Sequence, residues 1–378
     1  MKIAIVHDWL VTYAGAERVL EEMINVYPDA DIYSIVDFIE NRDRSFLKNK
    51  KSTTSFIQNL PFAKSKYRFY LPLMMKAIER LDLSSYDLII SSSHAVAKGV
   101  LLKEGQLHIC MCYSPIRYAW DLQEQYLKET KLNKGIRGLV VRSILNRIRI
   151  WDLNTVKSVN HFIAISEYIS KRIKKTYMRD STVIYPPVDT EKFSLSKCIK
   201  KEYYVTCSRM VPYKKIDLIV ETFTKKFPDK KLIVVGDGPD YKKIKSLAGL
   251  NILFEGRANF RVLNKHLCHA KAFVFAAEED FGISPIEAQS CGTPVIAFGK
   301  GGAIETVRGL DQKNPTGVFF NEQTIDSLSK AIHIFEENIG KITRESCRKN
   351  ALRFNKERFR CEFRDFVESK LTSKLKKI

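Results

Sequence analysis

A chain of 378 residues, 45% hydrophobic and 28% charged, carries enough apolar material for two packed domains and excludes a disordered or collagen-like polypeptide. Its 63 Lys and Arg stand against 43 Asp and Glu, and the resulting +20 points to anionic partners: nucleic acid, anionic lipid or a phosphorylated substrate. No apolar run reaches the ~18–20 residues a spanning helix needs. The N-terminus enters a strand directly, without the pattern of a signal peptide. The eight cysteines, at 110, 112, 198, 207, 268, 291, 347 and 361, form no Cys-x-x-Cys and read as reduced core residues of a cytosolic protein.

Residues 2–7 predict a first buried strand. Tyr13-Ala14-Gly15-Ala16-Glu17-Arg18 then turns into a helix, where Gly15 permits close backbone approach, although a packing glycine would look the same. A second strand is expected over 31–34. Residues 62–70 interleave Lys64, Lys66 and Arg68 with Phe62, Tyr67, Phe69 and Tyr70. The strand at 88–91 runs into Ser92-Ser93-His94, which sets His94 at a strand's carboxyl end, the edge where open parallel sheets bind ligands. A lone histidine is more often structural. Lys98, four residues on, could reach a phosphate or an acceptor.

Strand 108–112 leads to Tyr113-Ser114-Pro115-Ile116-Arg117-Tyr118-Ala119-Trp120-Asp121. Its aromatics and Arg117 suit sugar stacking and phosphate pairing, while core packing by Tyr118 and Trp120 reads equally well. Over 135–151, Ile136, Leu139, Val140, Ile144, Ile148 and Trp151 fall near one helical face. Lys134, Arg137, Arg142, Arg147 and Arg149 supply charge. Such a helix lies on an anionic membrane or docks on its own domain, and the pattern leaves both open. Strand 161–165 completes the first series.

Pro186-Pro187 is a rigid break and a natural hinge. A second series of strands follows at 203–207, 231–235, 252–254, 272–276 and 294–298. Strands alternating with helices throughout predict an α/β protein of two doubly wound, Rossmann-like domains facing across a cleft. After strand 203–207, Arg209 and Lys214 can clamp a diphosphate, Arg by its fork and Lys as a point charge. Lys215 reads as a solvated side chain. Gly236-Asp237-Gly238-Pro239 is a glycine turn without the third glycine of a dinucleotide fingerprint. His266 and His269 lack a second ligand cluster, so no metal is expected there. After the run 272–277, Glu279 and Asp280 precede Phe281-Gly282-Ile283, where backbone N–H groups at a helix start can meet an anion, and Glu287 lies further along that helix.

The string Glu279-Asp280-Phe281-Gly282-Ile283-x-Pro285-x-Glu287-Ala288-Gln289-x-Cys291-Gly292-Thr293-Pro294-Val295-Ile296-Ala297 closely resembles the signature of glycosyltransferase family 4, with its two glutamates separated by seven residues. It is most similar to the bacterial mannosyltransferase branch that builds polysaccharide, lipopolysaccharide and O-antigen. The family pattern Arg-x-x-Pro-x-Lys is matched by Arg209 and Lys214. The resemblance covers nearly the whole chain and implies the GT-B architecture. Residues 1–180 would form an acceptor-side domain, joined by a crossover helix at about 358–378, and 181–357 the nucleotide-sugar domain. Phe359, Phe363 and Phe366 stand at helical spacing in that segment, although a surface helix ending the second domain is the other reading.

The activity implied is retaining transfer of a hexose from a nucleoside diphosphate sugar, GDP-mannose foremost, to a lipid-linked or polysaccharide acceptor. Attack would come from the front face without a dedicated protein base. No metal cofactor is implied, and the one Asp-x-Asp triplet, Asp29-Ala30-Asp31, precedes its strand instead of following it. By the same resemblance Glu279 holds sugar hydroxyls and Glu287 the ribose. Gly15 contacts the diphosphate, although Ala16 replaces the second glycine of the usual pair. Gly236 lies beside the nucleotide, residues 255–257 near the base, and His94 at the reacting sugar. Tyr113, Arg117 and Trp120 fall on the acceptor side, although related enzymes often have His where Tyr113 stands. The protein is expected to be peripheral on the cytosolic face of an anionic membrane. A nucleotide-sugar epimerase on the same fold, or a non-enzymatic anion- or nucleic-acid-binding protein, are the rival readings. The chain carries no nucleic-acid motif, so no nucleic-acid partner is expected.

Overall fold

A computed structural model describes residues 1–120, 135–196 and 199–375. Asp121, Lys134, Cys198 and the side chains of Ile136 and Arg137 lie outside the described residues, as do positions 376–378. The chain divides into two compact units, one of Met1–Tyr185 with Phe359–Ile378, the other of Pro186–Arg358.

In the first unit β1 (Ile3–His7), β2 (Asp31–Ser34), β3 (Ser52–Thr54), β4 (Leu88–Ser93), β5 (Leu107–Cys112), β6 (His161–Ala164) and β7 (Ser181–Val183) form one sheet in the order β3-β2-β1-β4-β5-β6-β7. Every pairing is parallel. Helices α1 (Gly15–Val26), α2 (Leu71–Glu79), α3 (Gly135–Thr155) and α4 (Glu167–Tyr177) belong to this unit. Local chemistry sets their ends. The Ser166 hydroxyl accepts from the Ile169 N–H and opens α4, which stops at Met178 in a left-handed conformation behind Lys174 and Lys175.

The second unit repeats the plan. Its sheet runs β10-β9-β8-β11-β12-β13, built from β8 (Tyr203–Cys207), β9 (Lys231–Val235), β10 (Ile252–Gly256), β11 (Ala272–Phe275), β12 (Val295–Phe298) and β13 (Gly317–Phe320), again all parallel. Residues alternate between its faces. Tyr204, Leu232, Val234, Val274 and Ile296 enter one core, and Val205, Ile233, Val235, Phe273 and Val295 the other. Burial on both faces is why these strands read as unbroken apolar runs. Helices α5 (Ile216–Lys226), α6 (Phe260–His269), α7 (Ile283–Ser290), α8 (Ile325–Asn338) and α9 (Arg344–Leu352) follow in order. The side chains of Asn259, Thr324 and Thr343 cap α6, α8 and α9.

Three findings amend the sequence-based picture. Strands β3, β7 and β13 have no predicted counterpart. The Ser-Thr-Thr of β3 offers no apolar run, and β7 is as short. Both pair along one side only. Because β7 pairs with β6, the first unit extends to Tyr185, past the expected break at 180. Helix α3 docks on its own unit: Leu145 and Ile148 are buried, and Val141, Ile144 and Trp151 pack around Ile116, Ala119, Leu71 and Met75. Arg149 bonds the Ala119 carbonyl and covers the Trp120 ring at 5.5 Å. Of the face that the sequence offered to a membrane, Ile144, Ile148 and Trp151 pack within the unit, whereas Leu139 and Val140 stay 69% and 53% exposed.

The last helix, α10 (Lys356–Leu375), sends Phe359, Phe363 and Val367 into the first unit, fully buried. Phe359 stacks on Phe363 at 5.5 Å, Phe363 meets Tyr27 at 6.2 Å, and Arg360 donates to the buried Glu22 carboxylate. Phe363→Ala removes the middle of this seam. It should destabilise the first unit by about 3–5 kcal/mol, seen as an earlier urea midpoint for fluorophores of that unit.

Candidate functional site

In a parallel sheet, ligands bind at the carboxyl edge where the strand order reverses. The first sheet reverses beside β1 and β4, and the second beside β8 and β11. Each edge carries a dense polar cluster.

At the first, β1 ends in His7 and is followed by Asp8, both fully buried. Asp8 Oδ2 accepts the backbone N–H groups of His94 (2.6 Å) and Ala95 (3.0 Å), and Oδ1 those of Val96 (2.6 Å) and Ala97 (2.7 Å). The His94 Nδ1 stands 2.9 Å from Oδ2. A second chain of contacts runs alongside. His7 Nε2 faces Glu17 Oε1 at 3.6 Å, His7 Nδ1 meets Ser92 Oγ at 2.9 Å, and Ser92 Oγ meets the Tyr113 hydroxyl at 2.8 Å. Tyr113 in turn donates to the Ala16 carbonyl at 3.2 Å. Burial opposes ionisation of Glu17, but its hydrogen bond and charge interaction with His7 hold the carboxyl below its ordinary value.

Gly15 is the first residue of α1. The same helix start carries Glu17, which accepts the Ala14 N–H at 3.0 Å and already answers part of the helix's positive end. Tyr113 turns its hydroxyl inward, and Trp120 donates to Asp152 at 2.8 Å. For these two, the packing role is the one the geometry supports. Arg117 is half-buried on the same loop. Lys98 does not face a ligand. It is 2% exposed, paired with Asp152, and lies over the Tyr177 ring at 5.3 Å. Desolvation disfavours its charge, but the Asp152 carboxylate keeps it protonated. Tyr177 completes that carboxylate's shell with a bond of 2.8 Å.

At the second edge, Arg209 is exposed just past β8, and Lys214 forms an ion pair with Glu279 from the segment after β11. The sequence assigned Lys214 to phosphate and Glu279 to sugar hydroxyls, and in the structure the two side chains pair with each other. Gly236 turns at φ +131°, and a Cβ there would fall 2.0 Å from the Ser208 carbonyl, so only glycine lets the β8 and β9 loops touch. Gly282, at φ +86°, opens α7 with no side-chain cap and no acid in the first turn. The N–H groups of Ile283 and its neighbours therefore keep their capacity for an anion, unlike those of α1. Phe281 is buried against Phe354 at 5.6 Å and fixes this turn. Glu287 lies one turn into α7 and is 6% exposed. His266 faces Glu255 at 3.3 Å, and His269 bonds the Lys265 carbonyl, so the pair is engaged within the protein.

Sequence reasoning passed over four contributors. Asp8 had one signal, an acid directly ending an apolar strand. Glu17 had a weaker one, an acid at the third position of a helix whose start carries a glycine. Gly301 and Gly302 press on the Glu279–Phe281 backbone: a Cβ on Gly301 would sit 2.3 Å from the Glu279 oxygen, and one on Gly302 2.4 Å from the Phe281 Cα.

The chain matches two family models, the one described as Glycosyltransferase Family 4 over residues 13–192 and the one described as Glycosyl transferases group 1 over 187–354. It is 30% identical over 224 residues to the GDP-mannose-dependent alpha-(1-6)-phosphatidylinositol monomannoside mannosyltransferase of Mycobacterium tuberculosis, across 51% of this chain and 55% of that protein. It is also 30% identical over 154 residues to the O-antigen chain mannosyltransferase RfbU of Salmonella typhimurium, across 38% of this chain and 43% of that one. The chain spans about half the length of the curated relatives it matches. Among solved structures, sucrose-phosphate synthase from Thermosynechococcus elongatus shares its fold at a TM-score of 0.74 and 16% identity, covering 99% of this chain and 100% of that one. The Anabaena protein HepE, in complex with UDP and glucose, does so at 0.70 and 18%, covering 98% and 100%.

The Lys98–Asp152 pair yields a prediction that separates structural from ligand roles. Lys98→Met leaves a buried carboxylate without its cation and should cost about 3–5 kcal/mol in denaturant unfolding. Affinity for nucleoside diphosphates, measured by calorimetry on the folded variant, should stay unchanged.

Proposed function

The chain belongs to glycosyltransferase family 4, with the GT-B fold, and on that premise we propose that it transfers a hexose from a nucleoside diphosphate sugar with retention of configuration. Mannose from GDP-mannose is the proposed donor, and a lipid-linked saccharide or a growing polysaccharide the acceptor. The observation that carries the reading is the second switch point. There a lysine, an exposed arginine and an acid-free, glycine-opened helix start converge with a glutamate on one strand edge. Cation and helix N-terminus suit a diphosphate that gains charge as the glycosidic bond breaks, and the carboxylate suits sugar hydroxyls.

In this reading Arg209, Lys214 and the backbone of 281–283 take the diphosphate. Glu279 exchanges its lysine partner for the donor sugar, and Glu287 holds the ribose. From the first unit, His94 contacts the reacting sugar and Gly15 the diphosphate. The departing phosphate accepts the acceptor's proton, so no protein base is required, and fixed positive groups stand in for a metal. The relatives named for GDP-mannose support the choice of donor, at 30% identity over half their length.

GDP should raise the melting temperature by mass action. Lys214→Ala and Arg209→Ala should each weaken GDP binding by about 1.5–3 kcal/mol in calorimetry. Glu279→Gln should keep most of that affinity and lose turnover of GDP-mannose, and wild-type turnover should survive excess chelator. Unchanged affinity in both cation variants removes the assignment.

A peripheral membrane location follows as part of the same proposal. No helix among the described residues is long and apolar enough to cross a membrane. Phe62 and Phe69, 73% and 81% exposed, flank Lys64 and Lys66. Beside them a cavity of 640 Å³ between α2 and α3 is lined by Met75, Ile144 and Ile150 with Lys76 and Arg147. Each base near an anionic surface contributes about 1 kcal/mol within a Debye length. Lys64→Glu with Lys66→Glu should therefore lower sedimentation with phosphatidylserine vesicles about tenfold or more, and salt should do the same to wild type. Equal sedimentation of the double variant would shift the contact elsewhere.

A further inference from the structure

The Asp8 carboxylate has a degree of satisfaction unusual for a fully buried acid. Four backbone N–H groups of one short segment, 94–97, converge on its two oxygens, and the His94 Nδ1 lies 2.9 Å from Oδ2 as an ion-pair contact. The four amides cannot be lost by substitution elsewhere, so the acid both shapes the turn after β4 and remains an anion.

That anion faces a ring which is only partly enclosed. His94 is 33% exposed, with the Trp9 ring edge-on at 4.6 Å and the Tyr113 ring at 6.3 Å. With Nδ1 buried beside the Asp8 carboxylate, everything the ring offers to a ligand passes through Nε2. A neutral ring would present an acceptor there, and a cation presents a donor. The charged and titratable groups around it are Asp8 and His7 from the end of β1, Glu17 from α1, Arg68 from the segment before α2, and Tyr113 from the end of β5. The acids dominate.

We infer that Asp8 is a positioning residue that holds His94 as an imidazolium, with its Nε2–H aimed outward as a hydrogen-bond donor to an oxygen of the hexose or of the departing diphosphate. The identity of that oxygen rests on the transferase reading; the charge of His94 does not. The energetics agree. Burial works against the imidazolium, but the charge of Asp8 beside it outweighs this and raises His94 above its ordinary value. Burial likewise opposes the Asp8 anion, and His94 with its backbone bonds holds that carboxyl well below the usual range. The sign follows. The His94 share of stability is complete below the ordinary imidazole value of about 6.5 and is lost as pH rises through its folded value, and the Asp8 share is lost only in strong acid.

The test is a titration of ¹⁵N-histidine-labelled protein by NMR, with His94 identified by the signal missing in His94→Gln. In wild type, His94 should be doubly protonated at about pH 7, and in Asp8→Asn its acid constant should rise about tenfold or more. In parallel, GDP release from GDP-mannose by Asp8→Asn should be poor at about pH 7.5 and recover towards pH 6, as a lost charge demands and a merely loosened loop does not. A neutral wild-type His94 at pH 7, or an Asp8→Asn midpoint equal to wild type, overturns the inference. The wild-type spectrum decides even where Asp8→Asn fails to fold. A raised His94 titration in a chain inert towards GDP-mannose would sustain the role of Asp8 and remove the donor assignment instead.

Discussion

Parallel pairing is the constraint from which the rest of each unit follows. Two parallel neighbours cannot be joined by a tight hairpin, so each connection crosses a face of the sheet and every strand ends at the same edge. Where the order reverses, at β1 and β4 in one sheet and at β8 and β11 in the other, successive crossovers leave to opposite faces and the edge opens. Side chains and amides just past those strand ends are held by the most buried part of the fold yet are not covered by it. At one such place His94 stands on the fully buried His7, Asp8 and Ser92, and Ser208–Lys214 with Glu279–Gly282 occupy the other.

The two edges manage charge in opposite ways. In the first unit the carboxylates of Asp8, Glu17, Glu22 and Asp152 are all buried, which is tolerable only when they are paired. Asp8 is answered mainly by backbone, and Asp152 by the Lys98 ammonium, the Trp120 indole and the Tyr177 hydroxyl. Asp152 thereby ties α3, α4 and the loop after β5 to one point, and Asp8 does the same for the turn after β4. In the second unit the charged pair is Lys214 and Glu279, each with part of its surface in solvent. That pair keeps some contact with solvent, whereas Lys98 and Asp152 are sealed in the core.

Much of this was legible in the sequence where burial imposes a pattern. The long strands showed as apolar runs because both of their faces are covered, and the glycine-marked turns at Gly236 and Gly282 showed because backbone approach or a positive φ excludes other residues. The 279–297 string carried the family. What escaped has a physical reason. Edge strands such as Ser52–Thr54 are covered on too little surface to need apolar residues. An amphipathic helix shows that one face is buried, never against what, and α3 packs Ile144, Ile148 and Trp151 on its own unit while leaving Leu139 and Val140 exposed. A single buried acid leaves no periodic trace, so Asp8 and Asp152 emerged only with their partners. Lys98, which the sequence left able to reach a phosphate or an acceptor, is the counter-ion of one of them.

Helix α10 leaves the second unit and finishes in the first, where Arg360 reaches Glu22 across 338 residues of sequence. A ribosome delivers those two partners far apart in time. The β1–β7 sheet emerges early but lacks the Phe359–Val367 seam until the whole second unit has been made, whereas residues 186–358 are complete as soon as they appear. Domains usually fold in the order they are synthesised. Here the later one can mature first, while the earlier one waits with apolar surface uncovered, and that interval is when chaperones have the most to protect.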